Sequence, residues 1–127
     1  MGAFSRDEAT KIVTFLQGKT LKVALYLTEA TEISGTGYAR QPVTLSNAVS
    51  VGSGIRTSNV NDISFGAAGS DWAAPPAKVT WVKVIDQADS KVVWAGELPT
   101  AAQISIITGQ PYEIKSGALG LLISTYD

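Results

Sequence analysis

Apolar and polar positions near the start of the chain repeat with a helical period. Ala9, Ile12, Val13 and Leu16 fall at i, i+3, i+4 and i+7, which sets them on one face of a helix. Ser5-Arg6-Asp7-Glu8 just ahead reads as a capping box, the Ser5 hydroxyl accepting from the Glu8 N–H while the Glu8 carboxylate reaches back to the Ser5 N–H. Gly18 supplies the stop, because a terminating left-handed residue costs glycine little. The pattern predicts a helix over residues 6–17, within an N-terminal segment 1–18. From Leu21 the period changes to two: Leu21, Val23, Leu25 and Leu27 face one way and Lys22, Ala24, Tyr26 and Thr28 the other, as in a half-buried strand. Similar alternation recurs over residues 38–45, 60–65, 79–86, 92–98, 103–108, 112–115 and 119–125, each bounded by Gly, Pro, Ser, Asn or Asp, so seven or eight short strands follow the helix.

The connections at residues 87–90, 109–111 and 116–117 are short enough for hairpins, and no second helix is available for parallel crossovers. The expected fold is therefore mainly β: an antiparallel, jelly-roll-like β-sandwich with one N-terminal amphipathic α-helix. Neither a linker nor a repeat interrupts it, so residues 1–127 are expected to form a single domain, with the sandwich over residues 21–127. Longer, small-residue connections at 29–37, 46–59 and 66–77 are where partner contacts are expected.

Composition narrows the function. Charged residues make up only 17% of the 127, below the roughly 25% of ordinary domains, which leaves more uncharged surface for subunit contacts. Ten basic and eleven acidic residues are scattered without runs, so a nucleic-acid partner is not expected. Neither a signal peptide nor an apolar span of membrane length is visible, and no membrane association is expected. Cysteine and histidine are both absent, which removes disulfides, thiolate metal sites, the commonest general base and every Ser–His or Cys–His nucleophile pair. A non-enzymatic protein without cofactor, metal site or catalytic residues is expected.

The remaining candidates each have an ordinary structural reading. Asp86 and Asp89 flank a predicted hairpin, where an Asp side chain bonds its own turn backbone. Glu29 and Glu32 lie near Thr28, Thr31 and Ser34, oxygens suited to a hard cation, yet the spacing of a calcium loop is missing and solvated loop charge is expected. Trp81 and Trp94 fall in alternating runs that neighbouring strands can bring together as a cross-strand pair. Trp72, in the loop 66–77, either plugs one end of the sandwich or anchors a neighbouring subunit. Tyr38 and Arg40, two apart on one strand face, are either an internal hydrogen-bonded pair or interface residues. The helix either covers the sandwich with Ile12, Val13 and Leu16 or reaches to a neighbour; a helix this short must dock somewhere. Arg40, Trp72, Tyr38, Ile12 and Leu16 are the candidate interface residues.

The order of features carries a resemblance. An amphipathic helix is followed by Leu21-Lys22-Val23-Ala24-Leu25-Tyr26-Leu27, then Gly37-Tyr38-Ala39-Arg40-Gln41-Pro42-Val43, Asn61-Asp62-Ile63-Ser64-Phe65-Gly66 and the Asp71-Trp72 loop. Val79-Thr80-Trp81-Val82-Lys83-Val84-Ile85-Asp86, Trp94-Ala95-Gly96-Glu97-Leu98 and a closing hairpin complete the series. From about Asp7 to Ser124 the chain resembles a family of small tailed-bacteriophage virion proteins, tail-fibre-like or otherwise structural, and Tyr38-Ala39-Arg40 is the most specific piece. Trp81 and Lys83 depart from the smaller or more apolar residues expected there, and Pro75-Pro76 stiffens its loop. The resemblance implies a virion protein made in the host bacterial cytoplasm, with the major capsid protein or tail proteins as partners. The first expectation is a capsid decoration (cement) protein, a homo-oligomer and preferably a trimer, multiplying weak contacts over a symmetric shell. A tail or neck fibre module that binds a receptor or another fibre is the second, and a carbohydrate-binding β-sandwich using Trp72 and loop tyrosines the third.

Overall fold

The computed structural model describes residues 3–127. Helix α1 (Arg6–Gln17) leads into nine strands: β1 (Leu21–Tyr26), β2 (Gln41–Val43), β3 (Val49–Val51), β4 (Gly54–Ser58), β5 (Ile63–Ala67), β6 (Trp81–Asp86), β7 (Lys91–Glu97), β8 (Pro111–Ile114) and β9 (Gly120–Ser124), with a 3₁₀ turn at Thr100–Ala102. The fold is mainly β and antiparallel with one N-terminal helix, as the hydropathy pattern predicts. Its strands divide into a four-stranded sheet ordered β2-β1-β6-β7, a three-stranded sheet β3-β4-β9 and a pair β5-β8.

Helix α1 begins where expected: the Ser5 hydroxyl accepts from the Glu8 N–H at 3.2 Å. The reciprocal half of the box is replaced, since the Glu8 carboxylate takes the Lys11 ammonium at 3.0 Å. Gly18 ends the helix in a right-handed conformation (φ −79°) rather than the left-handed one expected, and its N–H bonds the Phe15 carbonyl at 3.2 Å. Ala9 and Val13 are buried against Ile55 of β4, so the helix docks on its own chain.

The main core lies on the inner faces of β1 and β6, where Leu21, Val23, Leu25, Val82 and Val84 meet Ile33, Phe65, Trp72, Ile106 and Leu121. The half-buried pattern expected of β1 is corrected on its other face, where Ala24 and Tyr26 are also buried with Ile85 beneath Trp81. Long side chains supply that cover: the Lys83 ammonium sits 4.3 Å from the Tyr26 ring centre. Trp81 and Trp94 do not form a cross-strand pair. The register sets Trp81 opposite Glu97 and Trp94 opposite Val84, so the two indoles lie on opposite sheet faces.

Three expected segments change. The loop predicted over residues 46–59 contains the β3–β4 hairpin, whose strands alternate too briefly to stand out in sequence and are held by the Arg6 guanidinium, which donates to the carbonyls of Val51 (3.0 Å) and Gly54 (2.7 Å). Residues 103–108 make only the isolated bridges Ile104 to Val79 and Ile106 to Ala73. Within 38–45 only β2 forms a ladder strand; Pro42 lacks an N–H, and β2 accordingly lies at a sheet edge. Asp86 and Asp89 do serve the β6–β7 turn, accepting from the N–H groups of Ala88 (3.0 Å) and Lys91 (3.1 Å). Buried Asn59 closes the remaining seam: its amide donates to the carbonyls of Asn61 and Lys115, both at 2.9 Å, and accepts from the Leu119 N–H at 2.9 Å.

Candidate interaction surfaces

The loop after β1 folds back on the strand, Ile33 N–H to Leu25 carbonyl at 3.0 Å, and this brings Glu32 to Tyr38 and Arg40. Arg40 grips the Glu32 carboxylate with two parallel bonds, Nε to Oε2 at 3.0 Å and Nη2 to Oε1 at 2.8 Å. The Tyr38 hydroxyl donates to Glu32 Oε2 at 2.7 Å and accepts from the Leu25 N–H at 3.1 Å. Burial pulls the Glu32 carboxyl upward, but the Arg40 and Tyr38 bonds outweigh it and leave the group below the ordinary carboxylate range. Burial first, and then the Glu32 carboxylate, push the Tyr38 phenol far above its ordinary value. With both oxygens of Glu32 taken, this loop offers no open carboxylate at Glu32 for a cation.

Trp72 lies behind this network. Its side chain is 3% exposed, its indole N–H donates to the Thr36 carbonyl at 2.9 Å, and the Tyr38 ring meets it edge-on at 5.5 Å. Gly35 makes room for it: a Cβ there would lie 2.6 Å from Trp72 Cδ1, and its φ of +149° suits glycine. Tyr38, Arg40 and Trp72 thus form one cluster whose polar groups turn toward their own chain. Ile12 and Leu16 lie elsewhere, both half-buried on α1, with Leu16 packed on the main core.

The side chains left outside belong to other residues. Phe15, on the outer side of α1, is 66% exposed with the Lys19 ammonium 4.7 Å from its ring centre. Lys19 also bonds the buried Asp86 at 2.8 Å. Leu122 of β9 is 46% exposed and pairs with Arg56, which pairs in turn with exposed Val49 of β3. Phe4 bridges to Thr125 beside β9, and Ala3, Phe4, Leu122, Ile123 and Ser124 line an open, mostly apolar depression of about 550 Å³. Tyr126 just beyond is 74% exposed. Arg6 ties this region together, since beyond its hold on β3–β4 its Nε donates to the Asp127 carbonyl at 2.8 Å. The alternation of residues 119–125 does not mark Leu122 as outward; the available signal is that Leu121, Leu122 and Ile123 are apolar at both parities, one more than a half-buried strand requires.

Residues 9–121 match the family model described as Podophage GP4 fiber I protein gp80. The chain belongs to this family. As a member of the podophage fibre I family it is a structural component of a phage virion, which agrees with the resemblance read from the order of its motifs. The match takes in most of α1 and runs to the second residue of β9, so it includes the Glu32–Tyr38–Arg40–Trp72 cluster and Phe15, while Phe4, Leu122 and Tyr126 lie outside it. No curated protein and no solved structure matches the chain. Among the described residues no helix is long and apolar enough to cross a membrane.

Proposed function

We propose that this protein is a fibre component of a tailed-phage virion that contacts neighbouring virion proteins through the half built from α1 and the β3–β4–β9 sheet. The family match carries the first part, because the description of the matched family is of a fibre protein. For the second part, the three exposed aromatic rings among the described residues, Phe4, Phe15 and Tyr126, lie on or beside this half together with exposed Val49 and Leu122, whereas the exposed large side chains elsewhere, Val60, Val92, Ile104 and Ile107, are aliphatic. Interface cores draw on aromatic and aliphatic side chains of this kind. Tyr38, Arg40 and Trp72 then act from within, fixing the loops 28–40 and 66–72 on the sheet, and Trp72 is withdrawn from the carbohydrate platform that the third expectation needs.

Gold-labelled antibody against the protein on purified virions tests the assignment. Label confined to fibres on the tail side supports it. Label spread over the capsid shell overturns it in favour of capsid decoration, and with it a homo-oligomer repeated on the shell.

A further inference from the structure

The three sheets end in the strands β2, β7, β3, β9, β5 and β8, and all but one of these edges are blunted against pairing with another chain. Pro42 sits in β2, which is three residues long, and Pro111 and Glu113 sit in β8. β7 carries Lys91 and Glu97 at its ends and a bulge at Val93, and β5 breaks register between Ser64 and Ala67. β3 is three residues long, with the Arg6 guanidinium bonded to its Ser50 Oγ at 2.6 Å. β9, Gly120-Leu121-Leu122-Ile123-Ser124, has neither proline nor charge nor bulge. Its open groups follow from the phase of its hydrogen bonds. The Asn59 N–H donates to the Leu119 carbonyl at 3.3 Å and the Thr125 N–H to the Ser53 carbonyl at 3.2 Å, so odd-numbered residues of this stretch turn their backbone groups toward β4. Gly120, Leu122 and Ser124 turn theirs away. Phe4 covers the Ser124 end through its bridge to Thr125, its carbonyl accepting from the Tyr126 N–H at 3.1 Å. Gly120 and Leu122 are left facing outward, each with a donor and an acceptor.

We infer that this edge pairs with the same edge of a second copy, antiparallel about a twofold axis at Leu121. Two open residues spaced two apart are self-complementary: Gly120 of each copy faces Leu122 of the other, and every outward N–H meets a carbonyl. Side-chain size agrees, since each Leu122 then lies over a glycine, beside the Arg56 side chain that bonds the Gly117 carbonyl at 3.0 Å. Phe4 fixes the register. An axis at Leu122 would run Leu119 of the second copy into Phe4, which already occupies the place beside Thr125. With the axis at Leu121 the chain curls away in time, the Gly117 N–H bonding the Asn59 carbonyl at 2.9 Å. The product is a continuous sheet, β3-β4-β9 joined to β9-β4-β3, in a twofold dimer rather than the trimer first expected. So few backbone bonds make a small contact, and the dimer should dissociate on dilution. This rests on the reading of the β3–β4–β9 half as a contact surface and names one partner there. That reading is tested on virions and this pairing on purified protein, so the two fail separately.

Sedimentation equilibrium on the full chain, with amide exchange followed by NMR on the same samples, decides it. Wild-type protein is expected to pass from monomer to dimer as its concentration rises, and to stop there. The Gly120 and Leu122 amides should exchange fast in dilute protein and slowly in the dimer, while those of Leu121 and Ile123, bonded to β4, are slow in both. Leu122→Lys, at an exposed position whose backbone bonds nothing in β4, should fold and associate more weakly by on the order of tenfold or more. Val49→Lys, on the same sheet face but on the far strand, should associate as wild type does. A protein that stays monomeric up to about 1 mM overturns the inference. So does a dimer whose Gly120 and Leu122 amides remain fast, or one that Val49→Lys disrupts and Leu122→Lys does not.

Discussion

Tyr38, Arg40 and Trp72 have the side chains that interfaces favour, and all three bond or pack against their own chain; the side chains of Phe15, Leu122 and Tyr126, on α1 and at β9, leave about half or more of their surface in solvent. The first group sits over a large core that needs its loops pinned. The second sits over a cluster of three buried residues, Ala9, Val13 and Ile55, with much of its apolar surface uncovered. The contrast teaches that residue type alone does not locate an interface. What matters is whether the polar and apolar surface of a side chain is already satisfied within the subunit.

The contrast can be broken at several points. Trp72→Ala empties a buried indole site and should cost about 3–5 kcal/mol of unfolding free energy, measured by urea or thermal denaturation of the isolated subunit. A loss under 1 kcal/mol, roughly, would mean the ring contributes little to the core and would free it for an interface. Tyr38→Phe removes the bond to Glu32 and leaves the Leu25 N–H without its acceptor, an expected loss of about 1–2 kcal/mol.

The Glu32 clamp also sets a pH dependence. Because its carboxyl lies below the ordinary range when folded, its contribution is present above the unfolded value, near 4.3, and is lost as pH falls through the lower folded value. Below about pH 4.5 the Tm of Glu32→Gln should therefore fall less steeply than that of wild type; parallel acid limbs would mean the Arg40 and Tyr38 bonds carry no net stability. Asp86, held low first by its bond to Lys19, keeps part of the slope in both proteins. The smallest effect on folding is expected where the effect on assembly is largest. Leu122→Ser and Tyr126→Ser should change stability by no more than about 0.5 kcal/mol while reducing incorporation into virions, read by quantitative blotting of purified particles. Normal incorporation of both would remove β9 from the contact.

Much of the fold was legible because its signals are local. The cap at Ser5, the period of Ala9 to Leu16 and the alternation of Leu21 to Tyr26 each need only their neighbours in sequence. The β3–β4 hairpin was not, because Val49–Val51 and Gly54–Ser58 depend on β9 and on Arg6, 45 residues before Val51. The Tyr38-Ala39-Arg40 motif was visible, but Glu32, the residue that decides which way it faces, stands eight positions before Arg40 in a loop with no periodic pattern. Asn59 was likewise hidden, since its partners Lys115 and Leu119 lie 56 and 60 residues away. Exposure of Phe15 and Leu122 is a property of packing, and the same letters would read as core.

Hydrogen–deuterium exchange of the protein in intact virions, compared with the isolated subunit, tests most directly which half meets the neighbours. The account predicts added protection over α1, β3–β4 and residues 120–126, with the loop carrying Glu32, Tyr38 and Arg40 unchanged. Added protection at that loop, with α1 and β9 exchanging as they do in the free subunit, would contradict it.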